Sequence, residues 1–189
     1  VEEGGRLGNF YGWKNLGVYA YDESNAYADN GELLTLVTDA EGNISTDGNG
    51  DPVYLLNGQA YAGNVNQLTT NGQPMRGGDV IWEDLNKDGE IDDTDRQILG
   101  NAQPKFYLGL GNIITYKSFS LSFNFYVNWG NKIYDEARRD TYVMSPTNIT
   151  PQPYFIHNAW TQQGDVTDVH IARNKPQNLR EVSSYFVED

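Results

Sequence analysis

The residues best suited to chemistry form an acidic run, Asp84–Asp95, that matches a twelve-residue calcium loop. Such a loop has oxygen ligands at positions one, three, five, seven, nine and twelve, and a glycine at position six for a sharp turn. The glycine here is Gly89, and Ile91 at position eight is expected to pack inward. The ligand positions are filled by Asp84, Asn86, Asp88, Glu90 (through its backbone carbonyl), Asp92 and Asp95. The sequence therefore predicts one bound Ca²⁺.

The twelfth position differs from that of an EF-hand, because Asp95 replaces the usual bidentate Glu. The shorter carboxylate is similar to that of dockerin-type loops. The alternative is an acidic turn, rich in Asn and Gly, that binds no metal.

The other polar residues do not suggest catalysis. His157 and His170 are the only histidines, and both are expected to be surface or loop-packing residues. The sequence has neither a nucleophile motif nor a glycine-rich phosphate loop, so we expect no enzyme. The formal net charge of −13 argues against nucleic acid as a partner, because nucleic-acid binding usually needs a basic surface.

Two segments that alternate apolar and polar residues, 106–116 and 119–129, follow the calcium loop. If Lys117 and Ser118 form the turn, the segments pair antiparallel along their whole length, and directly paired residues share a face. One face would carry Phe106, Leu108, Leu110, Asn112, Ile114, Tyr116, Phe119, Leu121, Phe123, Phe125, Val127 and Trp129. The other would carry Tyr107, Gly109, Gly111, Ile113, Thr115, Ser120, Ser122, Asn124, Tyr126 and Asn128.

This pattern favours a membrane β-barrel over a soluble β-sandwich, which also alternates apolar and polar residues. Each segment has about the 9–11 residues that a tilted strand needs to cross a bilayer. Aromatic residues lie at both ends of the apolar face, as interfacial girdles do. Gly, Ser and Asn dominate the other face and suit a wet lumen. We therefore predict an all-β fold, a segment of a large antiparallel transmembrane β-barrel with long extracellular loops.

Further motifs point to a family. Arg6-Leu-Gly-Asn-Phe-Tyr-Gly-Trp13, followed by Leu16-Gly-Val-Tyr19, resembles the "G-x-P-x-G-x-F-x-G-Y…D-G-I-F" stretch of SusC-like (SusC/RagA) TonB-dependent outer-membrane transporters. Residues 78–105 are similar to that family's "G-D-x-x-x-x-D-x-N-x-D-G-x-I-x-x-x-D-x-x-x-x-G-x-x-x-P-K" signature, and 116–123 and 158–160 continue the match in order.

The resemblance implies a piece of the C-terminal half of a barrel of about 22 strands in the cell outer membrane. Such a barrel imports oligosaccharides or peptides, is driven by TonB and is covered by a SusD-like surface lipoprotein. Long barrel loops face outward, so residues 22–103, which contain the calcium loop 84–95, and residues 130–180 would be extracellular. Residues 104–129 would form the transmembrane hairpin between them. Residues 1–21 would be the end of an earlier strand, and residues 181–189 the start of the next one.

The chain ends also suggest a fragment, because no recognisable signal peptide begins at Val1 and residues 183–189 look like an incomplete strand. The alternative function is that of a secreted calcium-binding β-module for carbohydrate binding or adhesion. A dockerin would need a second calcium repeat, and no second D-x-N-x-D-G occurs.

Overall fold

The computed structural model describes residues 6–142, 151–172, 178 and 182–188, and most of its regular elements are strands. The predicted segments 1–21, 130–180 and 181–189 lie partly outside these residues, because 1–5, 143–150, 173–177, 179–181 and 189 are not described. The strands are β1 (Asn9–Gly12), β2 (Asn15–Val18), β3 (Thr35–Leu36), β4 (Tyr54–Leu56), β5 (Gln59–Ala60), β6 (Thr69–Thr70), β7 (Gln73–Pro74), β8 (Val80–Trp82), β9 (Gln97–Asn101), β10 (Phe106–Tyr116), β11 (Phe119–Trp129), β12 (Ile133–Tyr134) and β13 (Val187–Glu188). The α-helices are α1 (Glu136–Tyr142) and α2 (Pro153–Asn158), and 3₁₀ turns cover Asp22–Ser24, Asp93–Asp95 and Ser184–Phe186.

The start of the chain pairs with the segments on either side of the calcium loop. β1 runs antiparallel to β9, and β2 runs antiparallel to β8. Both pairings contain an irregularity, between Phe10 and Tyr11 in β1 and between Asn15 and Gly17 in β2. A bulge of this kind bends a strand and increases its twist. The two pairings hold both ends of the loop against one short N-terminal segment.

A core of large side chains lies beneath these pairings. Its fully buried members include Tyr19, Trp82 and Ile91, and the Tyr19 and Tyr27 hydroxyls are 2.9 Å apart within it. The complete cluster is Trp13, Tyr19, Tyr27, Leu68, Met75, Val80, Trp82 and Ile91. Because residues from four separate stretches of sequence meet here, the calcium loop belongs to a packed body.

Strands β10 and β11 form a regular hairpin. Phe106 is opposite Trp129, and Tyr116 is opposite Phe119, with every intervening residue paired in register. This confirms the predicted pairing and the turn at Lys117 and Ser118. Lys117 has a φ of 53°, in the left-handed region that a tight turn requires and that lysine rarely adopts.

Residues after the hairpin form a smaller aromatic core. Tyr142 packs edge-on against Phe155, with ring centroids 4.9 Å apart, and also contacts Phe186. β12 pairs antiparallel with β13, so the chain leaving the hairpin lies beside residues 187–188. None of the helices in the described part of the chain has the length and apolar composition needed to cross a bilayer.

Candidate functional site

The first ligand position organises the calcium loop. One carboxylate oxygen of Asp84 accepts a hydrogen bond from the Lys87 amide at 2.7 Å, and the other accepts one from the Gly89 amide at 2.8 Å. Lys87 and Gly89 have φ values of 63° and 84°, so the backbone turns sharply at positions four and six. This is where a calcium loop requires its glycine.

The middle of the loop is a series of side-chain turns. The side-chain oxygen Oδ1 of Asn86 accepts a hydrogen bond from the backbone N–H of Asp88 at 3.1 Å. In the same way, Oδ1 of Asp88 accepts one from the backbone N–H of Glu90 at 2.9 Å. Short Asn and Asp side chains bond to backbone two residues on in this way and so fold a loop locally. All three residues are exposed, so their oxygens lie at the protein surface.

Asp95 at position twelve closes the loop. Its carboxylate accepts from the Asp92 amide at 2.8 Å and from the Leu85 amide at 2.9 Å, so it joins the loop's last turn to its first. Asp95 is fully buried, and that burial raises the pKa of its carboxyl, with the neighbouring charges of Asp84 and Asp92 raising it further. A cation at this point would offset both costs.

The loop is fixed to the core on two sides. Ile91 is 2% exposed, and its amide donates to the Thr69 carbonyl at 2.8 Å, which confirms the expectation that position eight packs inward. On the other side, the Trp13 indole donates to the Asp92 carbonyl at 2.7 Å. The Arg96 guanidinium lies 4.2 Å from the centre of the Trp13 ring, a cation–π distance.

The six predicted ligand residues therefore share one loop, but the side chains of all of them except Glu90 are engaged in hydrogen bonds along it. Within residues 6–142, 151–172, 178 and 182–188, no three His, Asp or Glu side chains converge as a metal centre. The set of donors is nevertheless all oxygen and rich in carboxylate, which is the chemistry that Ca²⁺ prefers. Calcium binding stays a prediction.

A groove of about 370 Å³ lies beside the loop, and some of the residues that line it were not predicted from the sequence to be near the loop. Asp84 and Asp88 line the groove together with Asp29 and Asn66. The Asn66 amide donates to Asp29 at 3.1 Å. No local motif marks Asp29 as a neighbour of the loop, because a bridge between Tyr27 and Asn66 brings it there.

The second notable surface is the apolar face of the hairpin. Phe119, Leu121 and Phe125 are 81%, 60% and 60% exposed, and among the hairpin strand residues Phe123 alone is half-buried. A contiguous surface of exposed large apolar side chains marks an interaction site or a membrane surface in a natural protein. Phe106 and Trp129 pack against each other at one end, with ring centroids 5.8 Å apart.

The two histidines have the placement expected of them. His157 is exposed in α2, and His170 is buried against the Tyr142 ring, with ring centroids 4.8 Å apart. Burial lowers the pKa of His170, so its imidazole is neutral at pH 7.

Comparison with known proteins identifies relatives of one kind. No protein-family model matches the chain. The TonB-dependent receptor P39 of Formosa agariphila is 42% identical over 168 residues, which are 88% of this chain and 16% of that receptor. The TonB-dependent receptors P3 and P26 of the same organism are 25% and 26% identical over 89% and 74% of this chain, and over 12% and 14% of their own lengths.

The chain thus spans about a sixth of the first of these relatives and less of the other two. TonB-dependent receptors are outer-membrane proteins, in agreement with the location predicted from the sequence. The homologues of this chain are therefore TonB-dependent receptors, and the hairpin and the calcium-type loop lie in the stretch that it shares with them.

Proposed function

We propose that this chain forms part of a SusC-like TonB-dependent transporter in the outer membrane, importing oligosaccharides or peptides together with a SusD-like lipoprotein. TonB would drive transport through parts of the protein beyond these residues, and the chain would carry no enzymatic activity. The observation that carries the proposal is the β10–β11 hairpin, whose fully paired strands separate an apolar face from a polar one.

The proposed topology follows from the lengths of the connections. Barrels of this type have short periplasmic turns and long extracellular loops. The Lys117-Ser118 turn would face the periplasm, and the residues on either side of the hairpin would face outward. The core that holds the calcium loop would form a rigid part of the extracellular rim, where a surface lipoprotein and a substrate can reach it.

A protease-site scan of the whole receptor tests this topology. A site inserted next to Asn49, in an exposed turn, should be cleaved on intact cells. The same site between Lys117 and Ser118 should be protected until the outer membrane is permeabilised. The reverse pattern would overturn the orientation. Cleavage of both sites on intact cells would overturn the membrane assignment and favour the secreted β-module.

We further propose that Asp84, Asn86, Asp88, Glu90, Asp92 and Asp95 hold one structural Ca²⁺. Glu90 would bind through its backbone carbonyl, and four of the other five side chains are carboxylates. Like charges so close together destabilise a loop that holds no cation. Support comes from the left-handed Gly89, the inward Ile91 and the buried Asp95. The ion would stiffen the connection from β8 to β9. Affinity is expected at about 10⁻⁴–10⁻³ M, as in extracellular modules.

Removing two carboxylates tests the calcium site. Replacing both Asp84 and Asp88 by Ala should abolish calcium binding, measured by calorimetry, and should speed hydrogen exchange of the Ile91 amide. A matched double variant, Glu41→Ala with Asp51→Ala, removes the same charge from an exposed loop and should bind calcium like the wild type. Equal calcium binding by both double variants would refute the site.

A further inference from the structure

The charges of this acidic chain are strongly segregated along its sequence. Residues 96–134, which contain β9 to β12, include no Asp or Glu, although the chain has 26 of them. The same stretch contains Arg96, Lys105, Lys117 and Lys132. The hairpin and its flanks are thus positively charged within a chain whose formal net charge is −13.

Two of these cations converge with a third on one groove at the open end of the hairpin. The groove has a volume of about 650 Å³ and is lined by Arg6, Lys105 and Lys132, with Trp129 and Ile98 as its large apolar side chains. Among the residues that the structure describes, none that lines this groove is acidic. Trp129 belongs to the apolar face of the hairpin and Ile98 is 53% exposed, so the groove joins an apolar surface to a cationic one.

Glycines allow the lysine stems to lie flat along the backbone. A Cβ atom on Gly130 would lie 2.9 Å from Lys105 Cγ, and one on Gly100 would lie 2.6 Å from Lys132 Cγ. The Lys105 ammonium is 5.7 Å from the centre of the Trp129 ring. Lys105 therefore packs its aliphatic stem on Gly130 and places its ammonium group beside Trp129. Lysine and aromatic side chains have such positions at membrane interfaces.

We propose that this groove binds the phosphate group of a membrane lipid headgroup in the leaflet that surrounds the open end of the hairpin. Clustered Lys and Arg attract anionic headgroups, and a basic pocket next to transmembrane segments is a recurrent site for phosphorylated lipids. The groove adds an apolar wall on which the upper part of an acyl chain can lie. A soluble anion would use the cations but not this wall. The inference rests on the proposed membrane placement of the hairpin.

Lipid binding to the whole detergent-solubilised receptor tests the inference, with lipid A as the phosphate-bearing probe and phosphatidylcholine as the reference. Wild type should prefer lipid A. Lys105→Gln with Lys132→Gln should weaken lipid A binding roughly fivefold per lysine, so about twenty-five-fold in total, and leave phosphatidylcholine binding unchanged. Gln retains the Cβ and Cγ that pack on the glycines. Arg76→Gln with Lys117→Gln, an equal charge change elsewhere, should bind like wild type.

Other outcomes would overturn the inference. Equal weakening by both double variants would mean a diffuse charge effect and no site. Displacement of lipid A by an equal concentration of inorganic phosphate would mean a soluble-anion site. A receptor that folds in detergent but shows no preference for lipid A would defeat the lipid site and leave the proposed function standing. A receptor that is monomeric and folded without detergent would defeat the proposed function itself.

Discussion

Among single residues, Gly89 shows how the sequence specifies the turn of the proposed calcium loop. Its φ of 84° lies in the left-handed region, and among the described residues only Gly89 and its two chain neighbours have atoms within 4 Å of the position that a Cβ would take. Glycine is therefore required by backbone conformation and not by space. The Gly89 amide also donates to Asp84, so the turn and the first ligand position depend on each other.

Gly89→Ala should weaken calcium binding although it removes no ligand. A left-handed backbone costs an L-residue roughly 1–2 kcal/mol, which corresponds to about a tenfold loss of affinity if only the bound form needs the turn. If the calcium-free loop has the same turn, the cost appears as faster hydrogen exchange of the Gly89 and Ile91 amides. Gly48→Ala is the control, because Gly48 is exposed, has open space around it and lacks a left-handed φ. Wild-type affinity and exchange in Gly89→Ala would contradict this role.

The ligand spacing, the sharp turn at Gly89 and the inward Ile91 could all be predicted from residue types, because each depends on local geometry. The contacts that hold the loop in place could not. Trp13 reaches the Asp92 carbonyl across 79 residues of sequence, and Arg96 stacks on Trp13 from the end of the loop. No periodicity encodes such a contact, since it depends on how β1 and β2 pair.

At the scale of elements, the hairpin was the most predictable part of the fold. Alternation over β10 and β11, broken only locally at Asn112 and Ile113, fixes the faces, and a two-residue connection then fixes the register. The β1–β9 and β2–β8 pairings were not predictable, because their strands are short, distant in sequence and interrupted by irregularities at Phe10 and Asn15. A sequence pattern with period two cannot locate a bulge.

A charge placed on each face of β11 should have unequal effects. Phe125→Arg puts a charge on the apolar face near the middle of the strand and should destabilise the bilayer-embedded receptor by roughly 2–4 kcal/mol. Asn124→Arg, at the same depth on the polar face, should cost less, because a charge that faces a water-filled lumen stays hydrated. The measurement is the free energy of unfolding of each reconstituted variant in urea, compared between variants that have the same m-value. A larger loss for Asn124→Arg would reverse the assignment of the faces.

At the scale of the whole molecule, the fold joins a packed body containing the calcium loop to an exposed apolar hairpin. The N-terminal strands hold both flanks of the loop, and β9 leads from the loop into β10 within a few residues. Fixing the loop would therefore fix where the hairpin begins. The resemblance of residues 78–105 to a family signature extends over this same connection, and the receptor P39 of Formosa agariphila aligns with 88% of the chain.

A nitroxide scan of β11 would show whether the hairpin lies in a bilayer with its apolar face toward lipid. These 189 residues contain no cysteine, so within them each label can be attached to a single introduced one. In the reconstituted receptor, collisions with oxygen should peak on the face of Leu121, Phe123 and Phe125, and collisions with a water-soluble nickel chelate should peak at Ser122 and Asn124. The two profiles should alternate with period two and in opposite phase. High nickel accessibility on both faces, or loss of the alternation, would contradict this placement.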